Sequence, residues 1–346
     1  MADANADLLD QVNRALDTRT PLRIRGGDSK AFLGRPVNGV ELDTRAHRGI
    51  VSYDPTELVL TARAGTPLAE IETALEAAGQ MLPCEPPHHS GATFGGMVAA
   101  GLSGPRRPWA GSVRDYVLGT RLITGHGKLL RFGGEVMKNV AGYDLSRLLA
   151  GSFGCLGVLT EVSMKVLPKP RMCASLRLEM DVHQALGELA EWGAQPIPIT
   201  AACHDGTALH LRLEGGEGSV CSARLRLGGE EIDSGYWQDL REQRLGFFAG
   251  PGTLWRLSLP NATPALALPG EQLIDWGGAQ RWLKSEADAE LIRHSVAEVG
   301  GHALRCTPGD DGFHPLPAAL LRYHQSLKRQ LDPHGLFNPG RMYREL

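Results

Sequence analysis

The chemistry most readily available to this chain comes from uncovered backbone amides. Residues 90–101 read Ser-Gly-Ala-Thr-Phe-Gly-Gly-Met-Val-Ala-Ala-Gly, four glycines and three alanines in twelve residues. Such a stretch has few side chains to bury, but its backbone can approach another group closely. Glycine opens positive φ and leaves N–H groups exposed, and a run of such donors at a turn or helix start forms a nest for an anion. A tight turn before a short packed helix explains this stretch equally well when it is read alone. Its companions tip the balance. Arg25-Gly26-Gly27-Asp28-Ser29-Lys30 follows a short apolar strand at 21–24, and Lys138-Asn139-Val140-Ala141-Gly142-Tyr143-Asp144-Leu145 precedes the glycine-rich 151–160. Three such turns, each beside a strand or helix signal, suggest one extended ligand with a diphosphate.

Other chemistries find less support. The six cysteines, at 84, 155, 173, 203, 221 and 306, form no C-x-x-C pair. Neither an iron–sulfur cluster nor a zinc ribbon is indicated. Their scatter in a chain this long reads as free cytosolic thiols. His88-His89 has no acidic cluster around it, so no metal is expected. The net charge of −3, without like-charge blocks, gives no nucleic-acid footprint. The start, Met-Ala-Asp-Ala-Asn-Ala-Asp, lacks a signal-peptide n-region. No apolar run approaches the ~20 residues that span a bilayer, so membrane contact is expected only through a partner. A cytoplasmic location, peripheral to the inner membrane within a complex at most, follows.

The elements that must position these turns can be read from periodicity. At 346 residues the chain is long enough for two domains. Residues 6–16 carry Leu8, Leu9, Val12 and Leu16 on one helical face. Short strands are expected at 21–25, 40–43, 50–53 and 58–62. Thr66 is expected to cap a helix that has Pro67 at its first position and Leu68, Ile71 and Leu75 as its stripe. Residues 117–124 and 129–132 flank a turn at 125–128, Asp144 opens a helix, and 156–166 alternates as a strand. Leu167-Pro168-Lys169-Pro170 ends that strand. Beyond it come strands at 174–180, 208–213, 253–259, 271–276 and 302–306 with a helix at 182–192, then a terminal helix at 316–331. This is an α+β pattern and not a regular βαβ repeat. It predicts a first domain at 1–170, a smaller antiparallel α+β domain with helices on one face at 171–315, and a segment at 316–346 that returns to the first domain.

The order of these segments resembles the FAD-binding domain of the vanillyl-alcohol-oxidase (PCMH-type) flavoproteins. Within that superfamily, Gly-Glu-Val-Met-Lys-Asn-Val-Ala-Gly-Tyr-Asp at 134–144 is similar to the glycolate oxidase subunits. Leu-Pro-Cys-Glu-Pro-Pro-His at 82–88 and Asp-Pro-His-Gly-Leu-Phe-Asn-Pro-Gly-Arg-Met at 332–342 fit the same family. The resemblance is dense over 20–170 and thinner between 175 and 315. It implies a two-part FAD-binding domain with a cap over the flavin. It also implies oxidation of a small 2-hydroxy acid, and partnership with a larger flavoprotein subunit and an iron–sulfur subunit.

Carried onto this sequence, Arg25, Gly26, Gly27, Asp28, Ser29 and Lys30 would cradle the pyrophosphate. Gly27 would hold a positive φ against it, and Ser29 would add a hydroxyl. Asp28 stands where many relatives have a third glycine, so its carboxylate must turn away. Some relatives attach flavin covalently through a His or Cys in this loop; neither is present, so non-covalent FAD is expected. Ala92, Thr93, Gly95 and Gly96 would contact a second phosphate and the ribityl chain. Gly101, Gly111, Ser112 and Asp115 would complete the wall. Gly154, Gly157 and Val158 would close over the adenine end. Lys138 would lie near the flavin, where a cation stabilises the reduced anion; a solvated loop lysine is the plainer alternative. Asn338 and Arg341 would approach the isoalloxazine, or else simply stop a helix. Oxidising a 2-hydroxy acid further needs a cation for the carboxylate and a base for the hydroxyl proton. Stand-alone relatives take the base from paired cap-domain histidines. The nearest match here is His204 and His210, whose spacing differs and which a turn into a strand explains as well. Arg241 and Arg244, after Trp237, are the candidate cations, with an exposed helix face as the alternative reading. The identity of the base stays open. So does the choice between a catalytic subunit and one that binds FAD but leaves substrate to a partner.

Overall fold

The computed structural model describes residues 3–134, 144–309 and 312–346. Helix α1 (Asn5–Thr18) buries Leu8, Val12 and Ala15. Strands β1 (Leu22–Arg25) and β2 (Val40–Asp43) pair in parallel beneath it. There follow β3 (Ile50–Asp54), β4 (Val59–Arg63), α2 (Leu68–Ala77), β5 (Gln80–Met81), α3 (Phe94–Ala100) and the single turns α4 (Arg107–Ala110) and α5 (Val113–Tyr116). Next come β6 (Val117–Ile123), β7 (Leu129–Gly133), α6 (Leu145–Leu148), β8 (Val158–Lys165) and β9 (Leu167–Pro168). An antiparallel sheet in the order β3-β4-β8-β6-β7 forms the middle layer, and β5 pairs with β9. Strand β8 is central and buried on both faces, so its apolar residues fill two layers at once.

The cap is an antiparallel sheet of eight strands. They are β10 (Met172–Glu179), β11 (Ile199–His204), β12 (Ala208–Gly215), β13 (Glu230–Glu231), β14 (Leu254–Ser258), β15 (Glu271–Asp275), β16 (Gln280–Lys284) and β17 (His302–Arg305). Their order is β13-β10-β12-β11-β15-β16-β14-β17. The sheet is wider than the sequence pattern suggested, because β11, β13 and β16 carry too little alternation to stand out. Helices α7 (Val182–Gly193) and α8 (Glu217–Leu227) contribute Ala185, Val220 and Ala223 to one face, against Leu209, Leu211 and Leu213. Helix α10 (Ala289–Glu298) packs Ile292 and Val296 on the same face, against Trp255, Leu257 and Leu283. The opposite face carries Ala201, Cys203 and Trp282. It is covered by α9 (Gly235–Arg241) and by Leu33 and Leu102 of the first part of the chain. Side chains alternate along a strand, so Arg212 and Arg256, each between two leucines or a tryptophan and a leucine of the helix-covered face, point toward that first part.

Helix α11 (Ala318–Leu331) brings the chain home. Buried Lys328 donates to Asp332 and to the carbonyls of Cys155 and Phe337, each at 2.7 Å. The segment behind it runs beside β1, with Leu22 N donating to Leu336 O at 2.7 Å and Asn338 N donating to Leu22 O at 3.0 Å. One local expectation fails. Thr66 does not cap α2: its hydroxyl is taken by Arg63 O and Gly49, and Pro67 itself is the flanking residue.

Candidate FAD site and the cap junction

The 26–30 loop leaves β1 into a hollow of about 100 Å³. This hollow gathers Gly26, Gly27, Asp28, Ser29, Lys30, Thr93, Gly96, Asn338 and Arg341, with Ala99, Ala100 and Phe153 as an apolar wall. The loop keeps its shape through outside braces. Arg341 donates to the carbonyls of Lys30, Ala31 and Arg35. Asn338 accepts from Ile24 N at 2.8 Å and donates to Phe153 O at 2.7 Å, tying the first glycine turn to the third. Both residues therefore position the loop backbone. Asp28 takes φ +54, the conformation a glycine would hold freely. Its carboxylate is turned onto Arg23 at 2.7 Å and Arg25 at 3.6 Å.

What this leaves is a row of donors. Among the described residues, no backbone N–H from 26 to 30 has a protein acceptor, whereas Ala31 N and Leu33 N already do. Ser29 Oγ sits 3.2 Å from Lys30 Nζ. Lys30 is buried, and burial pulls its ammonium down to about 8 against the opposing charge of Glu242. Apart from Lys30 the loop is half-buried to exposed, so water can meet these amides in the free protein; five consecutive donors without a protein acceptor beside a sheltered cation have the chemistry to hold a diphosphate. Gly27 behaves differently from expectation. It is absent from the positive-φ positions, and a Cβ there would stand 1.7 Å from Gly91 O. Gly27 thus lets two glycine turns touch; no ligand is needed to explain it.

The other expected contacts divide. Gly101 and Ser112 line a second hollow of about 470 Å³, which reaches from the end of α3 to the cap. Ala92 and Gly95 are packing positions: a Cβ on Gly95 would meet Ala64 at 2.5 Å. Asp115 closes a capping box with Ser112, and Gly111 precedes it at φ +104. Gly154 makes room for Asn338, while Gly157 and Val158 pack against Leu122 and Ile123. Arg25 is held by Glu41 at 2.9 Å. Lys138, with Asn139 and Tyr143, lies outside the described residues.

On the cap side the histidine pair dissolves. Cys203 pairs with His210 and His204 with Leu209 across β11 and β12, so the two rings lie on opposite faces of the sheet. His204 uses both nitrogens internally, on Met180 O at 2.9 Å and Gly206 N at 3.1 Å. His210 is held by Asp205 at 2.8 Å and stacks on Tyr236 at 4.2 Å. Neither lines the hollows described here. Arg244 is a surface partner of Asp239 at 2.9 Å. Arg241 does reach the junction, where it pairs with Glu242 at 2.8 Å and lines a small, partly open hollow with His89, Arg256, Asp275 and Gln280. Glu242 accepts both His88 N and His89 N, fastening that turn to α9.

Sequence reading missed the fastening itself. Glu85 and Arg106 of the first part meet Arg212 and Glu214 of the cap: Arg212–Glu85 at 2.9 Å, Arg106–Glu85 at 3.3 Å, Arg106–Glu214 at 2.6 Å and Arg212–Glu214 at 3.4 Å. Burial works against the Glu85 charge, yet Arg212 and Arg106 outweigh it and hold the carboxyl below its usual range. Asp275 nearby lacks such a partner, and burial pushes it up to about 7 despite donors from Trp276 N and Gln280. The signal available in sequence was weak: a glutamate inside Cys-Glu-Pro-Pro, and arginines between apolar strand residues.

Comparison with known proteins agrees with this geometry. The FAD_binding_4 family, described as FAD binding domain, matches residues 2–133 and indicates FAD as the cofactor. Glycolate oxidase subunit GlcE of Escherichia coli (strain K12) is 67% identical over 345 residues, 99% of each chain. Glycolate oxidase subunit GlcD of Bacillus subtilis (strain 168) is 33% identical over 167 residues, 46% of this chain and 36% of that protein. A solved alkyldihydroxyacetonephosphate synthase shares the fold at TM-score 0.68 and 16% identity, covering 97% of this chain and 75% of that one.

Proposed function

The chain belongs to the glycolate oxidase subunit GlcE family, and from that premise we propose that it is the FAD-binding subunit of a complex oxidising glycolate to glyoxylate. The observation that carries the reading is the row of free amides at 26–30 beside Ser29 and Lys30. In this reading the amides and Lys30 hold the diphosphate, Arg341 and Asn338 keep the loop in shape, and Ala99, Ala100 and Phe153 cover an apolar portion. The first hollow is smaller than the ~300–1,000 Å³ usual for a ligand pocket, so the rest of the dinucleotide extends along α3 toward Gly101. When bound, FAD supplies the two-electron acceptor for the alcohol. With no His or Cys at 25–30, the attachment is non-covalent.

The domain division follows as 1–170 for FAD, 171–315 for the cap and 316–346 for the returning segment. Electrons leave through a larger GlcD-like flavoprotein subunit and an iron–sulfur subunit, or to an external acceptor. We place the chain in the cytoplasm, meeting the inner membrane through those partners; among the described residues, no helix is long and apolar enough to cross a membrane.

A second reading, a FAD-binding subunit without turnover of its own, is favoured by His204, both of whose ring nitrogens are engaged within the cap, and by His210, whose Nε2 is taken by Asp205 and whose Nδ1 is shielded from solvent. Glycolate-dependent dye reduction, measured anaerobically on the chain alone and on the assembled complex, separates the two. The expected result is little or no reduction by the isolated chain and clear reduction by the complex. His204→Ala with His210→Ala should leave the complex within a few-fold of wild type. Turnover by the isolated chain, abolished by that double substitution, would make it a catalytic subunit in its own right.

A further inference from the structure

The wall of the second hollow is positively charged, and Asp115 behind it offsets Arg107 only in part. That wall includes Arg107, Arg114 and Arg256 and no aspartate or glutamate. Arg256 comes from β14, on the sheet face turned toward the first part of the chain, and lines both this hollow and the smaller one beside it. Its Nε is shielded from solvent without a partner, and among the described residues its guanidinium has no hydrogen bond or ion pair. Burial pulls its pKa down, and the like charge of Arg107 adds to that, with Cys306 opposing. Arg107 lies over the Trp276 ring at 4.5 Å, and Trp276 Nε1 donates to Gly104 O at 3.0 Å, so the aromatic plate that holds Arg107 is itself pinned across the junction.

The shielded Arg256 guanidinium, left without a counter-charge, is costly, and the more exposed Arg107, which Asp115 offsets only in part, faces the same space and repels it. An anion that both can reach removes both penalties. We propose that Arg107 and Arg256 form a binding site for the carboxylate of a small hydroxy acid, one arginine supplied by each side of the junction. Guanidinium groups match a planar carboxylate with paired N–H donors. Ser258 and Ser103, whose Oγ accepts from Val113 N at 3.1 Å, line the same wall. The inference rests on the glycolate reading above and adds to it: this chain binds the acid itself, through residues other than Arg241 or Arg244.

The test is calorimetric titration of the FAD-loaded full chain with glycolate, and separately with inorganic phosphate, recording the flavin-to-protein ratio for every variant. Saturable glycolate binding is expected, weakened roughly tenfold or more by Arg256→Gln and by Arg107→Gln, as loss of a charged hydrogen bond implies. Arg256→Lys should recover part of it, Arg244→Gln should match wild type, and flavin content should hold throughout. Wild-type glycolate affinity in folded Arg256→Gln and Arg107→Gln proteins would overturn the proposal. So would phosphate binding more tightly than glycolate, or flavin content falling in step with the Arg256 substitutions, since the hollow would then serve the cofactor. A chain that never takes up FAD yet binds glycolate through Arg256 would sink the cofactor reading and leave this one standing.

Discussion

Arg106 and Arg107 are neighbours in sequence, and Arg212 and Arg256 both stand on the inner face of the cap sheet, yet the four arginines have opposite fates. Arg106 and Arg212 are saturated by Glu85 and Glu214. Arg107 and Arg256 face a hollow with no carboxylate in its wall. The same contrast separates the sealed junction from the 26–30 loop, whose amides go unpaired. A polar group with all its partners inside the chain holds structure together, whereas one sheltered without partners is held in readiness for something else. Substitutions in the first class should cost stability; those in the second should cost ligand.

The largest effect is expected where saturation is broken. Glu85→Gln leaves Arg106 and Arg212 short of their counter-charge and should lower unfolding free energy by about 3–5 kcal/mol, read by urea denaturation. A loss under 1 kcal/mol would show that the junction does not depend on this network. Next comes Gly27→Val. With Gly91 O in its way, it should cost about 1–3 kcal/mol through overpacking and strip flavin as the two turns part. Full flavin content in a soluble variant would detach the loop from the site.

On the unsaturated side, Lys30→Met should leave stability unchanged or higher while weakening FAD by about tenfold. The pH dependence has a definite sign. Folded Lys30 titrates near 8 and unfolded lysine near its ordinary, higher value. Between those values the free protein gains stability as pH rises, while FAD affinity falls because the cation is lost. Flavin titration at pH 7 and pH 9 should show this weakening in wild type and not in Lys30→Met. The smallest effect is expected from Asp275→Asn. Folded Asp275 titrates near 7, above its unfolded value of 3.8, so its stabilisation is full below the unfolded value and disappears as pH rises through 7. The amide should gain on wild type as pH rises from 5 to 8; equal melting shifts at both pH values would contradict it.

Much of the first hollow was legible because its chemistry is local. Gly26, Ser29, Lys30 and Thr93 announce an open backbone by type alone, and Asn338 and Arg341 enter through the resemblance of the final segment. Strands β6, β7 and β8 show in their alternation, and Asp144 does cap α6. The cap was less legible because its meaning lies in pairing across the sheet. His204 and His210 look like a pair at six residues' distance until the register puts them on opposite faces. Arg107 and Arg256 meet only because β14 lies where it does, and Glu85 finds Arg212 across 127 positions. No single window of sequence contains either relation.

Acid precipitation of the purified chain, alone and in complex, tests the cofactor claim most directly. The account predicts stoichiometric FAD released to the supernatant, since the 26–30 loop offers it amides and a lysine but no His or Cys. Yellow colour kept in the pellet, or a folded chain that takes up no flavin at all, would contradict it.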